Sequence, residues 1–344
     1  MPRNRHKNPE QKTLETLKRH LKGGETLIIG VSGGSDSVFL LEILTKFKPK
    51  LNIIVAHLNH TLRGVDADLD TEFVKDLAKK HNLECPCTHF NIAQIASTHK
   101  KSLEETGRDQ RYTFFRKLYK EKKADFILTA HHSDDNLETI LFNFTRGATL
   151  QGLSGMQEVS EDKSGAKLLR PLLHVSKEEI IEHLKTNHIL YREDVSNEDT
   201  TIPRNFIRHT IIPDLKTLNP ALPQTVLKNA ENLREIQEFL EESAKTWISR
   251  HNLSEPKTKL EKFNLPPLQN KPPALQKEIL RQIYFQKEGT TKNIEKIHLD
   301  EIVAIIQKNV GRKHKSLGKY KVEIKQGILI MTPCRTSPKT TSRT

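Results

Sequence analysis

Between two apolar runs, TLIIGV and VFLLEIL, lie six small or polar residues, Ser32-Gly33-Gly34-Ser35-Asp36-Ser37. A strand that ends in such a turn and opens a helix gathers backbone N–H groups and the positive end of the helix dipole at one point, so the turn is suited to an anion. Gly33 and Gly34 let the backbone wrap a pyrophosphate without a Cβ in the way, and Ser32, Ser35 and Ser37 add hydroxyl donors. Asp36 belongs beside phosphates only if a cation stands between them. A carboxylate there suits Mg2+, which neutralises charge on a departing pyrophosphate. Two other phosphate loops are excluded: the glycine-x4-glycine-lysine run of P-loop NTPases is missing, and Gly30 and Gly33 do not fit the GxGxxG spacing of dinucleotide folds.

A second concentration of reactive groups lies at His131, His132, Asp134, Asp135, Asn136, Glu138 and Thr139. Asp135 and Glu138 are three apart and so share one side of a helix, as do Arg108 and Arg111.

The elements that must position these groups follow a simple alternation. Short β-branched runs at 26–31, 52–57, 84–90 and 125–130 alternate with helical spacing over 38–47, 66–81, 102–120 and 134–144, the pattern of βαβ units and a doubly wound parallel sheet. Ligands of such sheets sit beyond the carboxyl ends of the strands, so the turns after Val31, His57 and Ala130 are where chemistry is expected. A further helix is expected over 177–187. The expected division is a catalytic domain over 1–218, a helical region over 219–290 and a small basic α+β domain over 291–344 with a disordered tail. Val226, Ala230, Leu233, Ile236, Leu240, Ala244 and Trp247 mark the apolar face of a long helix. Prolines 256, 266, 267, 272 and 273 read as a linker. In the last domain a helix should precede two strands, 319–325 and 328–331.

A chain of 344 residues with net charge +13 favours an acidic partner such as nucleic acid. Residues 311–344 hold nine Lys or Arg against one Glu, and Lys313, Lys315, Lys319 and Lys321 are expected to meet phosphates there. Three cysteines are too few and too unevenly spaced for a disulfide framework, so a reducing compartment is expected. With no apolar leader and no run of eighteen apolar residues, neither secretion nor a membrane span is expected.

The loop SGGSDS resembles the PP-loop of the ATP pyrophosphatase superfamily. With HLNHTLRG (57–64), ETGRDQRYTFF (105–115), HHSDDNLETILFNFTRG (131–147), GLSGM, RPLL and YREDVSNEDTTIPRNFIRHTIIPDL (191–215), the chain is similar to the tRNA(Ile)-lysidine synthetase family over 26–220. Gly107 and Thr149 depart from the usual Ala and Gly, and neither removes a reactive group. The resemblance implies a cytoplasmic ligase using ATP and Mg2+ that adenylates the wobble cytidine of the CAU anticodon of an isoleucine tRNA and then attaches free L-lysine. The oligomeric state stays open, a homodimer being one alternative.

On this reading Ser32, Gly33, Gly34, Ser35, Asp36, Ser37 and His57 bind ATP, and Asp36 holds Mg2+. Asp36, His132, Asp135, Glu138 and Arg111 are the catalytic set. Asp135 with Glu138 would bind the lysine ammonium or help hold Mg2+, and His131 or His132 would accept the amine proton, the sequence not deciding between them. Arg111 and Arg108 would clamp a phosphate or the AMP leaving group. Arg63, Arg146, Arg204, Asn205 and Arg208 would meet the tRNA or its base. Cys85, Cys87 and His89 invite a rival reading as metal or sulfur chemistry, since all three point to one face of a strand, but nothing completes four ligands. A non-enzymatic nucleic-acid module is the second rival, opposed by the intact SGGSDS and HHSDDNLET.

Overall fold

The computed structural model describes residues 8–48, 50–59, 65–162, 164–192, 202–254, 260–291, 294–308 and 314–334. They divide into two compact units, Met1–Leu233 and Arg234–Thr344.

In the first unit the apolar run TLIIG forms β1 (Thr26–Gly30), which pairs in parallel with β2 (Asn52–Asn59) on one side and β4 (Phe126–Leu128) on the other. Both faces of this parallel strand are packed into apolar cores, so the run is apolar throughout. Its side chains alternate between two cores. Leu27 and Ile29 join Phe39, Leu40, Val55 and Leu128, whereas Ile28 joins Ile54, Phe115, Ile127 and Leu168. The six-stranded sheet has the order β3-β2-β1-β4-β6-β5, with β3 at Cys87–His89, β5 at Val159–Glu161 and β6 at Lys167–Leu169. All neighbours are parallel except β5, which runs antiparallel to β6. The chain leaves β1 toward β2 and returns to β4 on the opposite side, so the strand order reverses beside β1 and opens a crevice there.

The helices of this unit are α1 (Pro9–His20), α2 (Ser35–Lys46), α3 (Val65–Lys80), α4 (Ile92–His99), α5 (Leu103–Glu121), α6 (Ser133–Thr145), α7 (Leu150–Leu153), α8 (Lys177–Thr186), α9 (Pro203–Phe206), a π-helical turn at Ile207–Ile211 and α10 (Ile212–Leu218). The four expected βα pairs are found. Helix α1 was not expected, although Asn8 caps it and Pro9 opens it. Between α7 and α8 the chain forms the β5–β6 hairpin. Its turn is held by Asp162 Oδ1, which accepts from the backbone N–H groups of Ser164 and Ala166 at 2.8 and 3.1 Å.

Helix α11 (Leu222–His251) runs across the division between the units. The second unit holds a four-stranded antiparallel sheet, β7-β10-β9-β8, built from β7 (Glu261–Asn264), β8 (His314–Leu317), β9 (Tyr320–Lys325) and β10 (Ile328–Pro333), with α12 (Leu265–Gln269), α13 (Pro273–Glu288) and α14 (Lys296–Lys308). The two strands expected are present and two more join them. Pro256 lies outside the described residues, and the rest of the proline segment is no linker: Pro266 and Pro273 sit in the first turns of helices, where a missing N–H is harmless, and Leu265 and Leu268 are buried. Phe263, Ile279 and Tyr284 share one core with Ile302, Val322 and Leu329, so the boundary expected at 290 falls inside this core.

Candidate active site

The crevice beside β1 is a cleft of about 620 Å3, lined by the loop after β1, the ends of β2 and β4, one face of α5 and the first turns of α6. Ser32, Gly34, Asp36, Ser37, His57, Arg108, Arg111, Asp135, Glu138, Arg204, Asn205 and Arg208 all line it. Gly33 and Ser35 belong to the same loop, His132 lies just behind it, and Arg63 falls outside the described residues. Arg146 is absent from the lining, and its guanidinium stands 5.3 Å from the Phe142 ring.

Gly33 turns the chain at φ +94°, a conformation in which an L side chain is strained, and Gly34 caps α2. Ser37 Oγ accepts from Ser32 N at 3.2 Å and donates to Gly34 O at 2.9 Å. That hydroxyl therefore builds the loop. The N–H groups of the first turn of α2 have no partner within the helix and can serve an anion.

Asp36 lies between Lys177 and His132. Lys177 Nζ donates to Asp36 Oδ1 and to Ser35 Oγ, each at 2.7 Å, and His132 Nε2 stands 3.7 Å from Asp36 Oδ2. Sequence reasoning missed Lys177. A signal was available: lysine in the first turn of a helix opposes the dipole, so it is favoured there only with an acidic partner or an anionic ligand. The backbone N–H of Lys177 also donates to Asp134 Oδ2 at 2.8 Å, which ties α8 to the start of α6.

His131 and His132 are driven apart electrostatically. For His132, burial lowers the pKa, but Asp134, Asp135 and Asp36 outweigh it and the net shift is upward, favouring the imidazolium. For His131, burial dominates, with Arg170, Arg108 and Arg111 adding to it against Asp135, and its pKa is pushed down to about 4. His131 is therefore neutral near pH 7, and it lines the cleft. Asp134, despite burial, is held down to about 2 by His132 and the Lys177 amide.

His132 caps α6, while its own backbone N–H donates to Asp135 Oδ2 at 3.0 Å. One turn on, Glu138 is 3% exposed. Burial raises its pKa against the pull of Arg208, whose Nε and Nη2 reach its two carboxylate oxygens at 2.5 and 3.0 Å. His57 lines the cleft, but its ring nitrogens serve the fold: Nδ1 donates to Val31 O at 2.9 Å and Nε2 stands 3.1 Å from Thr71 Oγ1. It can shape a nucleotide pocket without donating to the nucleotide.

The oxygen donors fit Mg2+, which commonly takes one or two carboxylates and completes its shell with substrate phosphates and water. Asp36 at the anion loop, with Asp135 across His132, is such a set. The rival metal site is incomplete: Cys85 Sγ and Cys87 Sγ, 3.8 Å apart, are close enough to share one ion, but among the described residues no group of three or more His, Cys, Asp or Glu is arranged to hold a metal.

The PP-loop domain family matches residues 6–215. The chain is 37% identical to a tRNA(Ile)-lysidine synthase of Chlorobaculum tepidum over 67% of this chain and 70% of that protein. It is 37% identical to the tRNA(Ile)-lysidine synthase of Porphyromonas gingivalis over 67% of this chain and 50% of that protein. It spans about half to two thirds of the length of the first curated relatives it matches. Among solved structures, the U34-tRNA thiolase NcsA of Methanococcus maripaludis, determined with a 4Fe–4S cluster, superposes with TM-score 0.53 over 66% of this chain and 78% of that one. At 21% identity that likeness concerns the fold alone.

Proposed function

Because the chain belongs to the tRNA(Ile)-lysidine synthase family of PP-loop proteins, we propose that it joins free L-lysine to C2 of the wobble cytidine in the CAU anticodon of an isoleucine tRNA, splitting ATP to AMP and pyrophosphate. The observation that carries the reading is the convergence in one cleft of an anion-receiving helix start, several arginines and an acid pair.

In the first step the C2 oxygen of the cytidine attacks the α-phosphorus of ATP and the bond to pyrophosphate breaks. The first turn of α2 and Lys177 receive the pyrophosphate, and Arg111 with Arg108 stabilises charge on the α-phosphate. Mg2+, when bound, would be held by Asp36 and would neutralise phosphate charge. In the second step the ε-amine of lysine attacks C2, the C2–O bond breaks, and AMP leaves with the oxygen. Asp135 and Glu138 hold the amine. The proton it loses goes to a neutral acceptor, a role open to His131 and denied to His132 while His132 is charged. Arg204 and Asn205 meet the RNA. The reaction belongs in the cytoplasm, and among the described residues no helix is long and apolar enough to cross a membrane.

Labelled lysine should enter a CAU-anticodon isoleucine tRNA transcript only with ATP and Mg2+ present. With lysine omitted, pyrophosphate should still be released, because activation precedes amine attack. Dependence on a sulfur donor, or no turnover with any tRNA, would overturn the reading.

A further inference from the structure

The acid pair already holds a cation that belongs to the chain itself. The Arg208 guanidinium donates to both oxygens of Glu138, and its Nη2 also lies 3.5 Å from Asp135 Oδ1. This fork on a carboxylate is among the stronger polar contacts available to a protein. The two partners are unequally covered: the Glu138 side chain is 5% exposed, that of Arg208 36%. A nearly buried carboxylate left unpaired in its charged form carries a large cost, so ionised Glu138 favours a cation beside it. Arg208 can leave for solvent or for an anion in the cleft. Exchange of the guanidinium for an ammonium leaves Glu138 paired with a cation before and after.

We infer that Arg208 is an internal competitor for the amine substrate, occupying the Asp135–Glu138 subsite until a free amine displaces it. This rests on the reading of that pair as the amine site. Arg208 comes from the π-helical turn Ile207–Ile211, and single π-turns inside helices recur at functional sites. A competitor of this kind lowers the apparent affinity for the amine by the fraction of time the pair is open. It also rejects amino acids without a second cation, which have nothing to offer Glu138 in exchange.

The test is calorimetric titration of L-lysine, with L-norleucine as the probe lacking the ε-amine, into the full chain without tRNA at pH 8. Arg208→Gln should bind lysine about tenfold more tightly if the pair is open about a tenth of the time. Arg208→Lys, which keeps a cation, should stay near wild type. Unchanged or weaker binding by a folded Arg208→Gln protein would overturn the competitor role. Should that variant fail to fold, the wild type still decides: the Arg208 Nε–H resonance in 15N-arginine-labelled protein should shift on saturation with lysine and not with norleucine, and an unmoved resonance overturns the proposal. Asp135→Asn with Glu138→Gln separates the two ideas. If that variant keeps wild-type lysine affinity, the acid pair is not the amine site, whatever Arg208 does.

Discussion

Asp36 divides its two oxygens between Lys177 and His132, so Asp36→Asn removes the charge that faces both groups and that would hold Mg2+. We expect a variant with wild-type circular dichroism whose turnover falls at least about a hundredfold, since charge neutralisation by Mg2+ contributes several kcal/mol. Near-normal turnover would remove Asp36 from the metal site. Lys177→Met should act differently, raising the KM for ATP about tenfold or more through loss of one charge-assisted contact to the phosphates. Unchanged ATP binding by calorimetry would leave Lys177 a structural tie between helices. The two residues also differ in how far the sequence betrayed them. Asp36 was legible because its loop is contiguous and its chemistry local, whereas Lys177 reaches the loop from 141 residues away and nothing in its immediate neighbours names a partner. The two adjacent histidines were found but not told apart, because their difference comes from three carboxylates on one side and three arginines on the other.

At the scale of elements, Glu158, just before β5, gathers Arg19 and His20 of α1 together with His174, at 2.6, 2.8 and 2.7 Å. These partners outweigh burial and hold its carboxyl down to about 2 from the ordinary 4.5. A depressed carboxyl contributes its full stability above pH 4.5 and loses it as pH falls toward 2, at most about 3 kcal/mol here because Arg19 is half exposed. Glu158→Gln should therefore lower the Tm at pH 7 and narrow its gap to wild type near pH 2 to 3. An equal deficit at both pH values would exclude the linkage. Gly155 gives a second test: its φ is +69°, and a Cβ there would lie 2.4 Å from Asn136 Oδ1, the acceptor of the Met156 N–H. Gly155→Ala should cost about 2 kcal/mol in denaturant unfolding, and a neutral result would show that α6 can shift. Strands written as continuous apolar runs were legible for physical reasons, being covered on both faces. The three-residue strands β5 and β6 were not, since a hairpin that short is set by Asp162 and its turn rather than by a hydrophobic period.

At the scale of the whole chain, the basic surplus of residues 311–344 is partly answered within the second unit. Lys315 pairs with Glu301, Lys319 with Glu288 and Lys321 with Glu323 at 2.6 to 3.1 Å, while Lys313 lies outside the described residues. Exposed pairs of this kind are weak, so RNA phosphates can compete for the lysines. Reversing Lys315, Lys319 and Lys321 to Glu should weaken tRNA binding and flatten its salt dependence by about 2 in the log–log slope. An unchanged slope in the folded variant would confine RNA binding to the first unit. Net charge was readable from composition; its pairing was not, because Glu288 and Glu301 come from helices distant in sequence. The first sheet carries a consequence of another kind. Its rims, β3 and β5, are three residues long, Pro86 precedes one, and Glu161 ends the other. So few open ladder positions give an incoming chain little to pair with, and short, charged or proline-flanked borders are how sheets avoid growing outward. Crowded at high concentration, this sheet should resist edge-to-edge stacking and fibre growth without a barrel or a partner to seal it.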